Sequence, residues 1–135
     1  MTDNNFTILQ PNNWLAPKGY ANGVMAEGKQ VFIAGQIGWT AQAKLVGDDF
    51  VAQVEQALSN IVAVLAEAGG GPQHIVRMTW YLTDKKEYMA RQKEVGEAYR
   101  RVLGRHFPAM TAVVVAGLIE DGAKVEIEAT AVLPK

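Results

Sequence analysis

The pattern that most constrains the fold is an amphipathic repeat in the middle of the chain, followed by an abrupt stop. From Val51 to Leu65 the apolar residues recur at steps of three and four, on one face of a helix: Val51, Val54, Leu58, Ile61 and Leu65. Asp48 or Asp49 can cap the start of this helix, and the segment AGGGP at 68–72 ends it. A helix with one apolar face must cover a core that other elements help to build.

Apolar segments on both sides of this helix predict strands. Ile75–Leu82 is rich in β-branched and aromatic residues, which is typical of a buried strand. Residues 23–37 contain two apolar runs around a turn at 27–29 and predict a β-hairpin. Before them, residues 6–10 alternate weakly, as in a short edge strand, and the turn-rich residues 11–23 predict a loop.

The second half of the chain adds another helix and two strands. Thr83 or Asp84 can cap a helix that runs to about Leu103. A strand is then expected at 110–118, and a last strand at 123–133, the segment in which apolar and polar residues alternate. The resulting order, β-ββ-α-β-α-ββ, predicts an α+β fold. Two helices would lie on one face of a six-stranded, mostly antiparallel sheet.

Composition bounds the functions that such a fold can serve. A chain of 135 residues suits one domain over residues 1–135. Its net charge of −1 favours neither nucleic acid nor an anionic membrane as a partner, and no apolar run is long enough for a membrane span. The chain has no cysteine for disulfides, thiolate nucleophiles or metal ligands. With no signal-peptide pattern at the start, these features favour a cytoplasmic protein.

The face of the sheet away from the helices needs another cover. Three consecutive valines at 113–115 make their strand apolar on both faces, whereas a strand with one face in water would alternate. An uncovered apolar face of that size is not expected on a stable monomer. We therefore expect an oligomer that packs sheet against sheet, with sites at the seams between subunits.

Four segments, taken in order, resemble the Rid family, the reactive intermediate deaminases also called YjgF-like proteins. They are GYANGV at 19–24, FIAGQI at 32–37, FPAM at 107–110 and KVEIEATAV at 124–132. The resemblance implies a chorismate-mutase-like fold and a homotrimer with three clefts between subunits. It also implies the hydrolysis of reactive enamines and imines to ketones and ammonia, with no metal or organic cofactor.

The resemblance also implies a set of site residues. The family's loop tyrosine corresponds to Tyr20, and its water-orienting glutamate corresponds to Glu126, which we expect to be catalytic. The family segment SGQ becomes AGQ here, so Ala34 stands at the serine position beside Gly35, and both are expected to contact substrate. Independently of the family, a glycine inside an apolar strand indicates a bulge or a close approach to its backbone.

The resemblance departs from the family at one informative position. The arginine that grips a substrate carboxylate falls on Met110, and a small polar position falls on Ala112. Arginine offers two charge-assisted hydrogen bonds, whereas methionine has neither a charge nor a donor. We therefore expect an apolar wall at Met110 and a substrate without the usual carboxylate contact. Arg105 is the candidate to replace the lost charge. Trp39 and Trp80 are expected in the core or at an interface, with the same wall as the alternative.

Three functions remain open at this point. The first is hydrolysis of a reactive enamine or imine by a water that Glu126 holds, on a substrate lacking the 2-imino-acid carboxylate contact. The second is a non-catalytic trimer that binds a small metabolite, which the loss of the arginine favours. A nuclease is least favoured, because the chain has no basic patch interleaved with aromatics. Glu128 is assigned to structure or interface, and His74 and His106 are too isolated to predict a metal site.

Overall fold

The computed structural model describes residues 6–135, and the first five residues of the predicted domain lie outside that range. The strands are β1 Phe6–Leu9, β2 Gly23–Ala26, β3 Lys29–Gln36, β4 Ile75–Leu82, β5 Ala109–Val114 and β6 Val125–Leu133. The helices are α1 Phe50–Glu67, α2 Lys85–Ala90 and α3 Gln92–Leu103. The predicted α+β class is confirmed. Within the described residues, no helix combines the length and apolar character that crossing a membrane requires.

The strands form two sheets rather than the single six-stranded sheet that the sequence predicted. The main sheet has the order β3-β6-β4-β5, in which only the β4–β5 pair is parallel. β1 and β2 form a separate antiparallel pair. The predicted hairpin at 23–37 is therefore wrong, because β1 satisfies the backbone groups of β2 while β6 pairs with β3. The chain passes between the sheets at Gly28, whose φ of +149° suits glycine alone.

Helix α1 has the structure that its sequence predicted. The Asp49 carboxylate accepts a hydrogen bond from the Ala52 N–H at 2.9 Å and caps the start of the helix. Leu58, Ile61 and Leu65 are completely buried, together with sheet residues, in the main core. The helix ends just before Gly69, which has a φ of +79°.

The second predicted helix is divided into α2 and α3 at Arg91. The backbone there has φ −112° and ψ 20°, which lies outside the helical region. The Arg91 guanidinium binds Glu94 at 2.6 Å and Asp49 at 3.3 Å, so the break is tied to the start of α1. Beyond it, α3 buries Val95 and Tyr99 against the core that α1 covers.

The main sheet has one covered face and one open face. On β4 and β6 the residues that face the helices are buried: Met78, Trp80, Leu82, Val125, Ile127 and Ala129. The residues between them point to the opposite side and are half-buried or exposed: Arg77, Thr79, Tyr81, Glu126 and Glu128. We call these the covered face and the open face. Phe32 on β3 is 74% exposed and also belongs to the open face.

Strand β5 forms one edge of the main sheet. It runs parallel to β4, with Val113 beside Tyr81 and Val114 beside Leu82. Val113 therefore lies on the open face and Val114 on the covered face, and they are 40% and 51% exposed. The strand is thus apolar on both faces, and a substantial part of that apolar surface is uncovered in the protomer.

Candidate functional site

A cavity of about 510 Å³ lies on the covered face, between the β4–β5 edge and helices α2 and α3. Met110 lines this covered-face cavity because it pairs with Met78 across parallel strands, so both side chains point to the same side. Ala112 and the fully buried Trp80 form the next pair on this side of the sheet and line the same cavity. Tyr20 reaches it from the loop before β2.

Aromatic side chains that sequence reasoning missed complete one wall of the covered-face cavity. Tyr99 and Phe107 stack with their ring centroids 5.4 Å apart, and Tyr88 lies nearby on α2. Burial raises the pKa of both Tyr88 and Tyr99, so both phenols stay protonated at neutral pH. The Tyr99 hydroxyl donates to the His106 carbonyl. The wall is therefore apolar and uncharged, and its hydroxyl groups are neutral.

Glu126 lies on the open face, where its carboxylate crosses directly over Gly35. It stands between Val125 and Ile127, which are both 0% exposed on the covered face. A Cβ atom at position 35 would lie 2.8 Å from the Glu126 carboxyl carbon, so only glycine leaves room for the carboxylate. The β3–β6 register also shifts between Ile33 and Gln36. Both features that the sequence associated with Gly35, a bulge and a close approach, are present.

Two polar side chains, Tyr81 and Glu128, share a depression with this carboxylate and with apolar residues of the segment after β5. Tyr81 donates from its hydroxyl to the Glu128 carboxylate at 3.0 Å, and this hydrogen bond raises the pKa of Tyr81. Tyr81 and Glu128 share a depression of about 280 Å³ with Glu126. An adjoining groove of about 380 Å³ is lined by Ala34 and Arg77. Sequence reasoning missed Tyr81, although its place next to Trp80 in an alternating strand puts it on the face opposite that residue.

The structure therefore divides the predicted site residues between the two faces. Tyr20 and Met110 line the covered-face cavity, whereas Ala34, Gly35 and Glu126 lie on the open face. The main sheet separates the two groups. A single protomer does not bring Glu126 and Met110 to one site.

Two other predicted residues lie outside both groups. Arg105 is exposed and lines a depression near β1 with Phe6 and His106, so it does not replace the missing charge at Met110 within the protomer. The cause is local, because α3 ends before Arg105 and Tyr99 holds the next carbonyl toward the helix. Trp39 is absent from the covered-face lining, and its carbonyl accepts a hydrogen bond from α1.

The two histidines have structural hydrogen bonds. His74 Nδ1 accepts from the Gly71 N–H at 3.0 Å, and His106 Nε2 donates to the Ile75 carbonyl at 2.7 Å. Burial lowers the pKa of His106. Across residues 6–135, no three His, Asp or Glu side chains are grouped as a metal site requires.

The fold and the cavities beside these two groups of residues define an α+β protein with cavities of small-molecule size, and known proteins share this fold. A family model described as Endoribonuclease L-PSP matches residues 12–133. Protein DfrA of Myxococcus xanthus is 39% identical over 122 residues, which cover 87% of this chain and 89% of that protein. The 2-iminobutanoate/2-iminopropanoate deaminase of Capra hircus is 35% identical, over 84% of this chain and 79% of that protein.

A solved structure agrees with these matches. The crystal structure of YyfB from Yersinia pestis, a member of the conserved Rid protein family, has a TM-score of 0.85 and 30% identity. The similarity covers 96% of this chain and 99% of that one. The chain therefore belongs to the endoribonuclease L-PSP family, which is the Rid or YjgF family that its sequence resembled.

Proposed function

We propose that this protein hydrolyses a reactive enamine or imine to a ketone and ammonia, at a site that two protomers of a homotrimer build together. The observation that carries this proposal is the Glu126 carboxylate held over Gly35 on the open face. The relatives named 2-iminobutanoate/2-iminopropanoate deaminase, from goat, human and cattle, support imine chemistry.

The division of the site between two faces supports the trimer. A contact that joins the open face of one protomer to the covered-face cavity of the next uses two different surfaces. Such head-to-tail contacts close into a ring when the rotation between protomers allows it. In a ring of three, each cleft takes Glu126 from one protomer and Met110 with Tyr20 from its neighbour. The same contact covers exposed apolar side chains such as Phe32 and Val113.

The proposed reaction needs one carboxylate and one water. An enamine first tautomerises to the imine. Glu126 accepts a proton from the water, whose oxygen attacks the imine carbon to form a carbinolamine. Glu126 returns this proton to the nitrogen, which completes the neutral carbinolamine. It then takes the carbinolamine hydroxyl proton and delivers it to the same nitrogen, so that the C–N bond breaks and ammonia leaves as the carbonyl forms. Because imines are labile, positioning the water and assisting proton transfer are sufficient catalysis.

Met110 sets the substrate class in this proposal. It supplies an apolar wall where a carboxylate-binding arginine would hold a 2-imino acid. We therefore propose a substrate whose reacting carbon carries no carboxylate at this position. The same observation favours the second candidate, a trimer that binds a small metabolite in this cavity without turning it over.

A nuclease remains the least favoured candidate, although the family description contains the word endoribonuclease. The net charge of −1 gives no general attraction for RNA, whose binding depends on neutralising phosphates. Incubation with single-stranded RNA at low salt, followed by electrophoresis, should show no cleavage.

The test of the proposal compares two glutamates on the same face of one strand. Glu126→Gln should reduce ammonia release from an imine generated in the assay by about 10²–10⁴-fold, because glutamine cannot accept the proton. Glu128→Gln is the matched control, since Glu128 contacts Tyr81, and it should keep turnover within about threefold of wild type. Unchanged turnover in Glu126→Gln would refute the mechanism. A wild type that binds a metabolite in the cavity and hydrolyses no imine would establish the second candidate.

A further inference from the structure

The covered-face cavity has two cationic side chains in its lining in addition to its apolar wall. Lys18 and Arg100 both line it, and among the described residues that do so there is no aspartate or glutamate. Lys18 also lines an adjoining depression of about 500 Å³ beside Trp14 and Leu15, where the described lining again contains no acidic residue. The cavity and its mouth therefore carry an excess of positive charge.

Neither cation is neutralised elsewhere in the described chain. Over residues 6–135 the cations of the ion pairs are Arg91, Arg101, Lys124 and Lys135. The comparison with Arg101 is direct, because it binds Glu55 at 2.7 Å while Arg100, its neighbour on α3, has no carboxylate within 4 Å in residues 6–135. A positive pair without an internal partner, set beside an apolar wall, is complementary to an anion that arrives from outside.

Gly96 places the Arg100 guanidinium over the cavity. A Cβ atom at position 96 would lie 3.3 Å from Arg100 Nη1, so the arginine side chain folds back along α3 across the glycine. Gly96 itself lines the cavity. A glycine in the interior of a helix weakens that helix relative to alanine. Here the guanidinium lies over the glycine in the space that a Cβ atom would crowd, and both residues line the cavity.

We infer that the covered-face cavity binds an organic carboxylate with an apolar body. The carboxylate contacts Lys18 and Arg100, and the body packs against Trp80, Tyr99 and Met110. The anion is thus held by the loop before β2 and by α3, away from the β5 position of Met110. The inference rests on the proposed function in one respect, which is that the bound anion is the substrate. That substrate would be an enamine or imine on an apolar skeleton whose carboxylate is remote from the C–N bond.

Calorimetric titration of the intact protein tests the inference with three probes of similar shape. They are 4-phenylbutanoate, its neutral amide, and 3-phenylpropyl phosphate. The carboxylate should bind at least about tenfold more tightly than the amide. Lys18→Gln combined with Arg100→Gln should weaken binding of the carboxylate probe about tenfold and leave binding of the amide probe unchanged. Lys29→Gln combined with Arg105→Gln is the matched control, because it removes the same charge from exposed sites outside the cavity lining.

Each result decides the inference. It is overturned if the amide binds as tightly as the carboxylate, if no probe binds, or if the control pair weakens binding as much as the cavity pair. A preference for the phosphate over the carboxylate would overturn the choice of anion. Turnover is scored separately, by comparing ammonia release from the wild type and from Glu126→Gln, while 4-phenylbutanoate binding is measured on the wild type. Charge-selective binding without imine hydrolysis would refute the proposed function alone, and hydrolysis without charge selectivity would refute this inference alone.

Discussion

The two faces of the main sheet differ in how far the protomer completes them. The covered face is closed by α1 and α3, and its β4 and β6 side chains are buried in one core. The open face carries a network in which Tyr81 bonds to Glu128 and Glu126 crosses Gly35, while Phe32 beside it is 74% exposed. The covered face thus accounts for stability. The open face presents a hydrogen-bonded polar pair and a largely exposed Phe32 to its surroundings.

The largest expected effect comes from truncating one side chain on each face and measuring stability and assembly separately. Leu58→Ala removes a completely buried side chain from the core and should lower the free energy of unfolding by about 2–5 kcal/mol. Phe32→Ala should leave protomer stability within about 1 kcal/mol of wild type and weaken the proposed trimer instead. Denaturant unfolding and sedimentation equilibrium measure the two effects. If Phe32→Ala assembles as tightly as the wild type, the open face is not part of the proposed interface.

A second prediction compares two glycines close together in sequence. At Gly38 a Cβ atom would lie 2.5 Å from Gln53 Cα, so Gly38→Ala must shift the backbone of α1 and should cost about 1–3 kcal/mol. At Gly35 the obstacle is the flexible Glu126 side chain. Gly35→Ala should therefore keep the fold and lower turnover at least about tenfold by displacing the carboxylate. Thermal unfolding and ammonia-release kinetics distinguish the two variants. Equal loss of stability in both would contradict the assignment of Gly35 to the position of the Glu126 carboxylate.

The smallest effect concerns the covered face alone. Gly96→Ala should stabilise the protein by about 0.5–1 kcal/mol, because alanine is the better residue in a helix interior and the Arg100 tip can move. The same change should weaken the binding of 4-phenylbutanoate, because it displaces the Arg100 guanidinium. Destabilisation on chemical unfolding would show that the glycine is needed for packing rather than for the cavity.

The elements that the sequence predicted well are those whose determinants are local. Helix α1 combines its cap at Asp49, its apolar face and its stop at Gly69 within one continuous segment, so all three agree. At the break, Arg91 binds Asp49, which is distant in sequence, as well as the nearby Glu94, and β2 pairs with β1 across a long loop. Neither the contact between Arg91 and Asp49 nor the pairing of β1 with β2 can be predicted from the residues of one local segment.

In the candidate site, too, features that depend on local sequence were predictable and features that depend on distant residues were not. The close approach at Gly35 was predictable, because a glycine inside an apolar strand weakens that strand unless a bulge or a neighbouring group uses the space. The face on which Met110 lies was not, since it depends on the parallel register with Met78. The resemblance assigned Glu126 and Met110 to one site, and only the three-dimensional structure shows that they lie on opposite faces of the sheet. The exclusion of Arg105 likewise depends on a loop hydrogen bond from Tyr99.

Mixed trimers test the central claim, that each site joins Glu126 of one protomer to the covered-face cavity of another. Glu126→Gln removes the carboxylate, and Ala112→Trp blocks the cavity, so each variant alone should be inactive. When the two are unfolded and reassembled together at equal concentration, about a quarter of the clefts should combine an intact glutamate with an intact cavity. The account predicts that imine hydrolysis recovers to about that fraction of wild type. No recovery in trimers shown by mass spectrometry to be mixed would contradict it.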